Sequence, residues 1–246
     1  MLPLSALITA FAQLGVLLVL PAAWWALTAR RSLGFAAWIG LRAPQWHGGW
    51  VRAVVAGLAW ALASVASVVL LRSTSEGTAV SGFAGTGLAG VVPVLLHAVI
   101  QTALSEEILF RGFLGKRLIS RFGSTIGNTA QAVVFGLMHV ALFASFVPPL
   151  PLALIGAVTA ANGWITGWIN EECAGGSIVP SWLLHATANL AVGWGWPTTG
   201  TGALSCPPRA LIAGCSCLLR ERPPRTALAP SRAQRGANTK GTHAGR

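Results

Sequence analysis

Residues 122–170 contain no Asp, Glu, Lys or Arg, and residues 2–29 and 53–71 are uncharged as well. A helix needs about 20 apolar residues to cross the hydrocarbon core of a bilayer. Runs of this length therefore constrain the fold more than any other feature. At that depth no water is available to the backbone, and helices satisfy their own N–H and C=O groups. Charged residues make up 9% of the chain, where a typical soluble domain has about 25%. The expected fold class is all-α: a polytopic helical membrane protein with six to seven transmembrane helices, eight at most.

The pattern predicts spans at residues 2–29, 53–71, 87–105, 124–147, 152–169 and 178–196. Residues 30–52 carry four arginines and three tryptophans and are expected to lie at an interface. Trp24 and Trp25 close the first span, where amphipathic rings favour the headgroup level. Residues 72–90 are rich in Ser, Thr and Gly and are expected to form a loop. Pro148, Pro149 and Pro151 are expected to break the long uncharged run, and residues 171–176 to form a turn. A seventh span at 203–219 contains Pro207, Pro208 and Arg209, which weaken it. Residues 220–246 have no hydrophobic periodicity and are expected to be a disordered basic tail. The domain reading is thus a membrane domain at 1–202, an uncertain last helix at 203–219 and a tail at 220–246.

The net charge of +11 at pH 7 raises nucleic acid as a partner. Its distribution argues against that. From Arg209 onward eight Lys or Arg face one Glu, so most of the excess lies in the tail. Such a tail suits anionic headgroups of the lipid bilayer, or solvent. The positive-inside rule puts the Arg30, Arg31, Arg42 and Arg52 loop in the cytoplasm, together with Lys116, Arg117 and Arg121. Six spans leave the tail outside, and a seventh brings it in. Cys173, Cys206, Cys215 and Cys217 have no zinc-finger spacing.

Only six acidic residues occur, none of them Asp, and two are adjacent: Glu106 and Glu107. They follow an apolar run, where each charge costs about 2.5–3.5 kcal/mol on insertion scales. Glu107 and Arg111 lie one helical turn apart and can pair. Glu106 lies about 100° round from Glu107, without that partner. A held carboxylate beside a free one suits a general base. The same stretch also suits a helix end meeting water at the headgroups.

Two later spans carry histidines. Phe135 and His139 are four apart, as are His185 and Asn189, so each pair shares a helix face. Polar groups in lipid must find partners, so these faces are expected to turn towards the Glu pair. For either histidine alone, a helix–helix hydrogen bond is the simpler use. His97 lies about 180° from Glu106 on an α-helical wheel and is expected to be structural. His47 and His243 fall in a loop and in the tail.

Glu-Glu-x-x-x-Arg-Gly-Phe, Phe-x-x-x-His and His-x-x-x-Asn, in that order on successive helices, resemble the CAAX prenyl endopeptidase type II and bacteriocin-processing (CPBP, or ABI) family. The resemblance covers about residues 91–195 and omits the tail, which departs from that family's apolar ending. It implies an intramembrane endopeptidase, with a buried polar active site and a peptide or membrane-protein substrate, prenylated and CAAX-like or not. Carried over, Glu106 and His139 activate water, His185 and Asn189 hydrogen-bond the oxyanion, and Glu107 and Arg111 hold the structure or orient the substrate. A carboxylate in a low-dielectric cavity is a stronger base than one in water, which suits this chemistry.

Zinc is the rival use of Glu106, His139 and His185. No His-Glu-x-x-His occurs, and the ligands would come from three helices. A metal-free water activated by glutamate is the favoured reading, with Zn2+ as the alternative cofactor. A non-catalytic immunity or scaffold protein and a transporter are the other function classes. The expected location is the bacterial plasma membrane.

Overall fold

The computed structural model describes residues 2–73 and 90–195. The expected span at 203–219, the tail at 220–246 and most of the loop at 72–90 lie outside the described residues. The described residues are helical, with no strand. We label the helices α1 (Leu2–Thr28), α2 (Phe35–Ile39), α3 (Trp50–Ser73), α4 (Val91–Phe122), α5 (Ser124–Phe143), α6 (Pro149–Cys173) and α7 (Val179–Gly195).

Four of these, α1, α4, α5 and α6, are long and apolar enough to cross a membrane. In α3 the apolar stretch is shorter, Trp50–Ala66. Helix α7 has 17 residues and runs to the edge of the described segment. Four of the six expected spans before residue 198 thus meet the length and apolarity of a full span, and the other two fall on α3 and α7. Their outer faces carry Leu4, Ile8, Leu62, Ile126, Leu137 and Leu150 largely exposed. An apolar outer surface of this kind suits lipid, and the chain is an integral membrane protein.

Helix α4 is the central element. It packs against α1 on one side and α7 on another, and its end docks on α5. Over its apolar window 56% of α4 is buried, against 11% of α1. α5 and α6 form the most extensive pair, and α3 lies against α6. Small residues let backbones approach closely in membrane interfaces. At Gly136 an added Cβ would lie 2.6 Å from the Gly156 carbonyl oxygen and 2.8 Å from the Ala160 Cβ.

Three boundaries differ from the sequence expectation. The expected break at the prolines is present but lies at residues 144–148, and Pro149 and Pro151 belong to the first turn of α6, where the missing N–H of proline is no loss. Glu171, Glu172 and Cys173 are not in a turn: they continue α6 as a π-helical turn, and the reversal begins at Ala174. Residues 30–52 do not simply lie at an interface. Trp38 and Ile39 of α2 are buried in a cluster with Ile108, Phe113 and Ile178. Gly112 makes this possible, since a Cβ there would lie 2.8 Å from the Ile39 carbonyl oxygen.

A polar layer closes one end of the bundle. The Gln45 N–H donates to Ala174 (3.0 Å) and the Ile178 N–H to Gly40 (2.9 Å). Arg42 donates to the Gly175 carbonyl at 2.6 Å. Lys116 pairs with Glu171 at 2.9 Å and donates to the Gly176 carbonyl at 2.7 Å. Arg117 lies 4.0 Å over the Trp38 ring. The two basic segments therefore sit at the same end, as the charge asymmetry requires.

Candidate active site

The centre of α4 is not a regular α-helix. Leu96–Leu104 and Ile108–Gly115 are π-helical, and Ser105–Glu107 is the α-helical turn between them. Such wide turns are uncommon and often mark functional sites. The wheel argument that turned His97 away from Glu106 assumed α-helical spacing, and the π turn at 96–104 removes its basis. His97 lies within electrostatic range of Glu106. Its Nδ1 is 2.8 Å from Gln101 Oε1, and Gln101 in turn donates to Gln13 of α1 at 3.0 Å.

Glu107 and Arg111 form the expected ion pair, with Oε1 and Nη1 3.0 Å apart and both side chains almost wholly buried. Arg111 is held from two further directions. Its Nη2 donates to Thr166 of α6 at 3.1 Å, and its guanidinium stacks 4.1 Å over the Phe135 ring of α5. Gly163 leaves the room, because an added Cβ would lie 3.1 Å from Nη2 and 3.2 Å from Phe135.

His185 of α7 reaches the same pair. Its Nδ1 is 3.1 Å from Glu107 Oε1, and its Nε2 is 3.9 Å from Glu106 Oε2. An ionised carboxylate only accepts, so Nδ1 carries a proton, and the other ring nitrogen, Nε2, faces Glu106. His139 follows the same rule. Its Nδ1 is 3.0 Å from the Phe135 carbonyl, which also only accepts. The His139 ring packs on Phe135 (4.6 Å between centroids), and Phe135 packs on His185 (6.1 Å). Glu106 and His185 lie within electrostatic range of His139.

Five of the six residues singled out in the sequence thus come together from three helices: Glu106, Glu107, Arg111, His139 and His185. Asn189 stands apart. It donates to Thr102 Oγ1 at 3.2 Å and to the Ala98 carbonyl at 3.4 Å, binding α7 to the π turn of α4. Sequence reasoning placed Glu106 without a partner, and its carboxylate lies 3.9 Å from His185 Nε2.

Thr102, Asn128, Gln131, Thr166, Asn170 and Ser181 were missed. A signal existed: Asn162, Thr166 and Asn170 recur every four residues along one face of an otherwise apolar helix. Asn128 donates to the Trp164 carbonyl at 2.9 Å and Gln131 to the Gly163 carbonyl at 3.0 Å. Asn170 donates to Ser181 at 2.8 Å. Between this layer and Arg111 lies a small cavity lined by Arg111, Asn128, Gln131, Asn170 and Glu171, with room for about one water. Arg111 Nε and Gln131 Oε1 are buried without a hydrogen-bond partner among the described residues.

Among the described residues no three His, Cys, Asp or Glu side chains are grouped to hold a metal. Glu107 takes one nitrogen of His185, and Phe135 takes one of His139.

No curated protein and no solved structure matches the chain. The family model described as type II CAAX prenyl endopeptidase, Rce1-like, matches residues 88–191. That segment holds α4, α5, α6 and most of α7, and it includes all six motif residues. Over residues 88–191 the chain is similar to the Rce1-like type II CAAX prenyl endopeptidases.

Proposed function

We propose that the chain is an intramembrane endopeptidase that hydrolyses a peptide bond of a membrane-associated, prenylated or CAAX-like substrate with a metal-free activated water. The observation that supports this most is the approach of His185 to both carboxylates. One ring nitrogen is anchored on Glu107, and the other lies 3.9 Å from Glu106. A water between Glu106 and the histidines is the nucleophile. Its oxygen attacks the scissile carbonyl while Glu106 accepts its proton, assisted by His139. The proton passes to His185 Nε2, which then donates to the oxyanion. Asn189 supplies a second donor after leaving Thr102. Collapse of the intermediate breaks the C–N bond and returns the proton to the leaving nitrogen. Glu107 and Arg111 take no proton and keep His185 in place. The membrane is the bacterial plasma membrane, with the basic end of the bundle in the cytoplasm.

The test is cleavage of a farnesylated CAAX peptide, beside an unprenylated membrane-protein reporter, by purified protein in nanodiscs. Glu106→Gln and His139→Ala are expected to abolish turnover. Asn189→Ala is expected to lower it by about 10²–10³ with little change in binding. Near-normal cleavage by Glu106→Gln would refute the peptidase reading.

A further inference from the structure

We infer that Thr166, which lies in none of the three motifs, is a positioning residue for the catalytic histidine. The inference rests on the peptidase reading above and extends it to α6, a helix that contributes no motif residue.

Thr166 is 2% exposed. Its hydroxyl proton is committed to the helix, with Oγ1 2.9 Å from the Asn162 carbonyl and 3.2 Å from that of Gly163. The oxygen's lone pairs are therefore free to accept, and Arg111 Nη2 donates to them at 3.1 Å. The opposite edge of the guanidinium holds Glu107 at 3.0 Å, Glu107 holds His185 Nδ1 at 3.1 Å, and His185 Nε2 lies 3.9 Å from Glu106. Two links are hydrogen bonds in which the guanidinium and the imidazole Nδ1–H donate, and Arg111 and Glu107 meet between them as an ion pair. The series therefore sets both the tautomer and the direction of His185.

Guanidinium geometry explains why a hydroxyl is needed. Arg111 lies over the Phe135 ring at 4.1 Å, a non-directional contact that does not by itself set the rotation of the guanidinium about its centre. Glu107 pulls on one edge only. Thr166 on the other edge fixes the in-plane angle, and with it the Glu107 oxygen that His185 meets. A small misplacement far from the reacting atoms can cost up to about 10² in rate.

Thr166→Val keeps the volume and removes the acceptor, whereas Thr166→Ser keeps the acceptor. Wild type and both variants, in nanodiscs, are assayed on the farnesylated CAAX peptide at a temperature where all three are folded. Thr166→Val is expected to lower kcat roughly tenfold with KM within about twofold, and Thr166→Ser to restore kcat. A second readout needs no substrate: 15N NMR of labelled histidine reports the His185 tautomer. It is expected to be Nδ1-protonated in wild type and Thr166→Ser, and mixed in Thr166→Val. Wild-type kcat and an unmixed tautomer in Thr166→Val would overturn the inference while leaving the peptidase reading intact. Equal losses in both variants, tracking their thermal stability, would also overturn it, since they mark a purely structural role. A wild-type protein that cleaves neither substrate refutes the peptidase reading, and this inference with it.

Discussion

Replacing Arg111 with alanine isolates the energetics of the buried pair. The guanidinium is 4% exposed and the Glu107 carboxylate 1%, so neither charge is screened by bulk solvent. Arg111→Ala removes the 3.0 Å ion pair, the 3.1 Å bond to Thr166 and the stacking on Phe135 together. Glu107 keeps His185 and Ser181. Breaking a buried pair from one side costs ~3–5 kcal/mol, because the remaining charge stays buried. The charge-assisted bond to Thr166, in isolation about 1.5–3 kcal/mol, overlaps with that figure and does not simply add. For a domain of about this size the loss corresponds to a fall in Tm of roughly 6–20 °C. The argument also fixes the sign of a rescue. Adding Glu107→Gln to Arg111→Met removes the orphaned charge and keeps apolar contact with Phe135. The double variant is therefore expected to recover a large part of the stability and none of the activity. Thermal unfolding of detergent-solubilised protein, followed by intrinsic tryptophan fluorescence, reads both quantities. A Tm for Arg111→Ala within about 2 °C of wild type, or a double variant less stable than Arg111→Ala, would refute the reasoning.

Three further outcomes are expected. Gly112→Ala places a methyl 2.8 Å from the Ile39 carbonyl oxygen and pushes α2 off α4; a loss of about 1–3 kcal/mol in thermal unfolding is expected, and an unchanged Tm would count against this packing. A cysteine placed at Ser32 is expected to stay unlabelled by impermeant reagents on intact cells, because the positive-inside rule puts the flanking Arg30 and Arg31 in the cytoplasm; labelling reverses the topology. Purified protein keeps its activity in strong chelator and carries no stoichiometric zinc; activity lost on chelation and restored by zinc alone would establish the metal-dependent alternative.

The linear chain determined a good deal of this protein by itself. Forty-nine consecutive uncharged residues leave the backbone at 122–170 no solvent, so helices there follow from hydrogen-bond satisfaction alone. Glu107 with Arg111 was also legible, because a four-residue spacing survives moderate changes of helical pitch. The motif residues on α5 and α7 could be named from their expense in lipid. Only the tertiary structure decided which atoms meet. His185 lies 78 residues from Glu107, and nothing in the spacing along one helix says that α7 crosses α4 at that height. The π-helical turns of α4 changed the angular relation of His97 to Glu106, since a wheel drawn at 3.6 residues per turn does not apply where hydrogen bonds run from i to i+5. Asn189 was named for its spacing from His185 yet binds Thr102, because the partner of a buried amide depends on which neighbouring helix offers an acceptor. Thr166 escaped notice for the complementary reason. A threonine in an apolar helix can satisfy its hydroxyl on its own backbone, and only the approach of α6 to Arg111 gives that hydroxyl a second role.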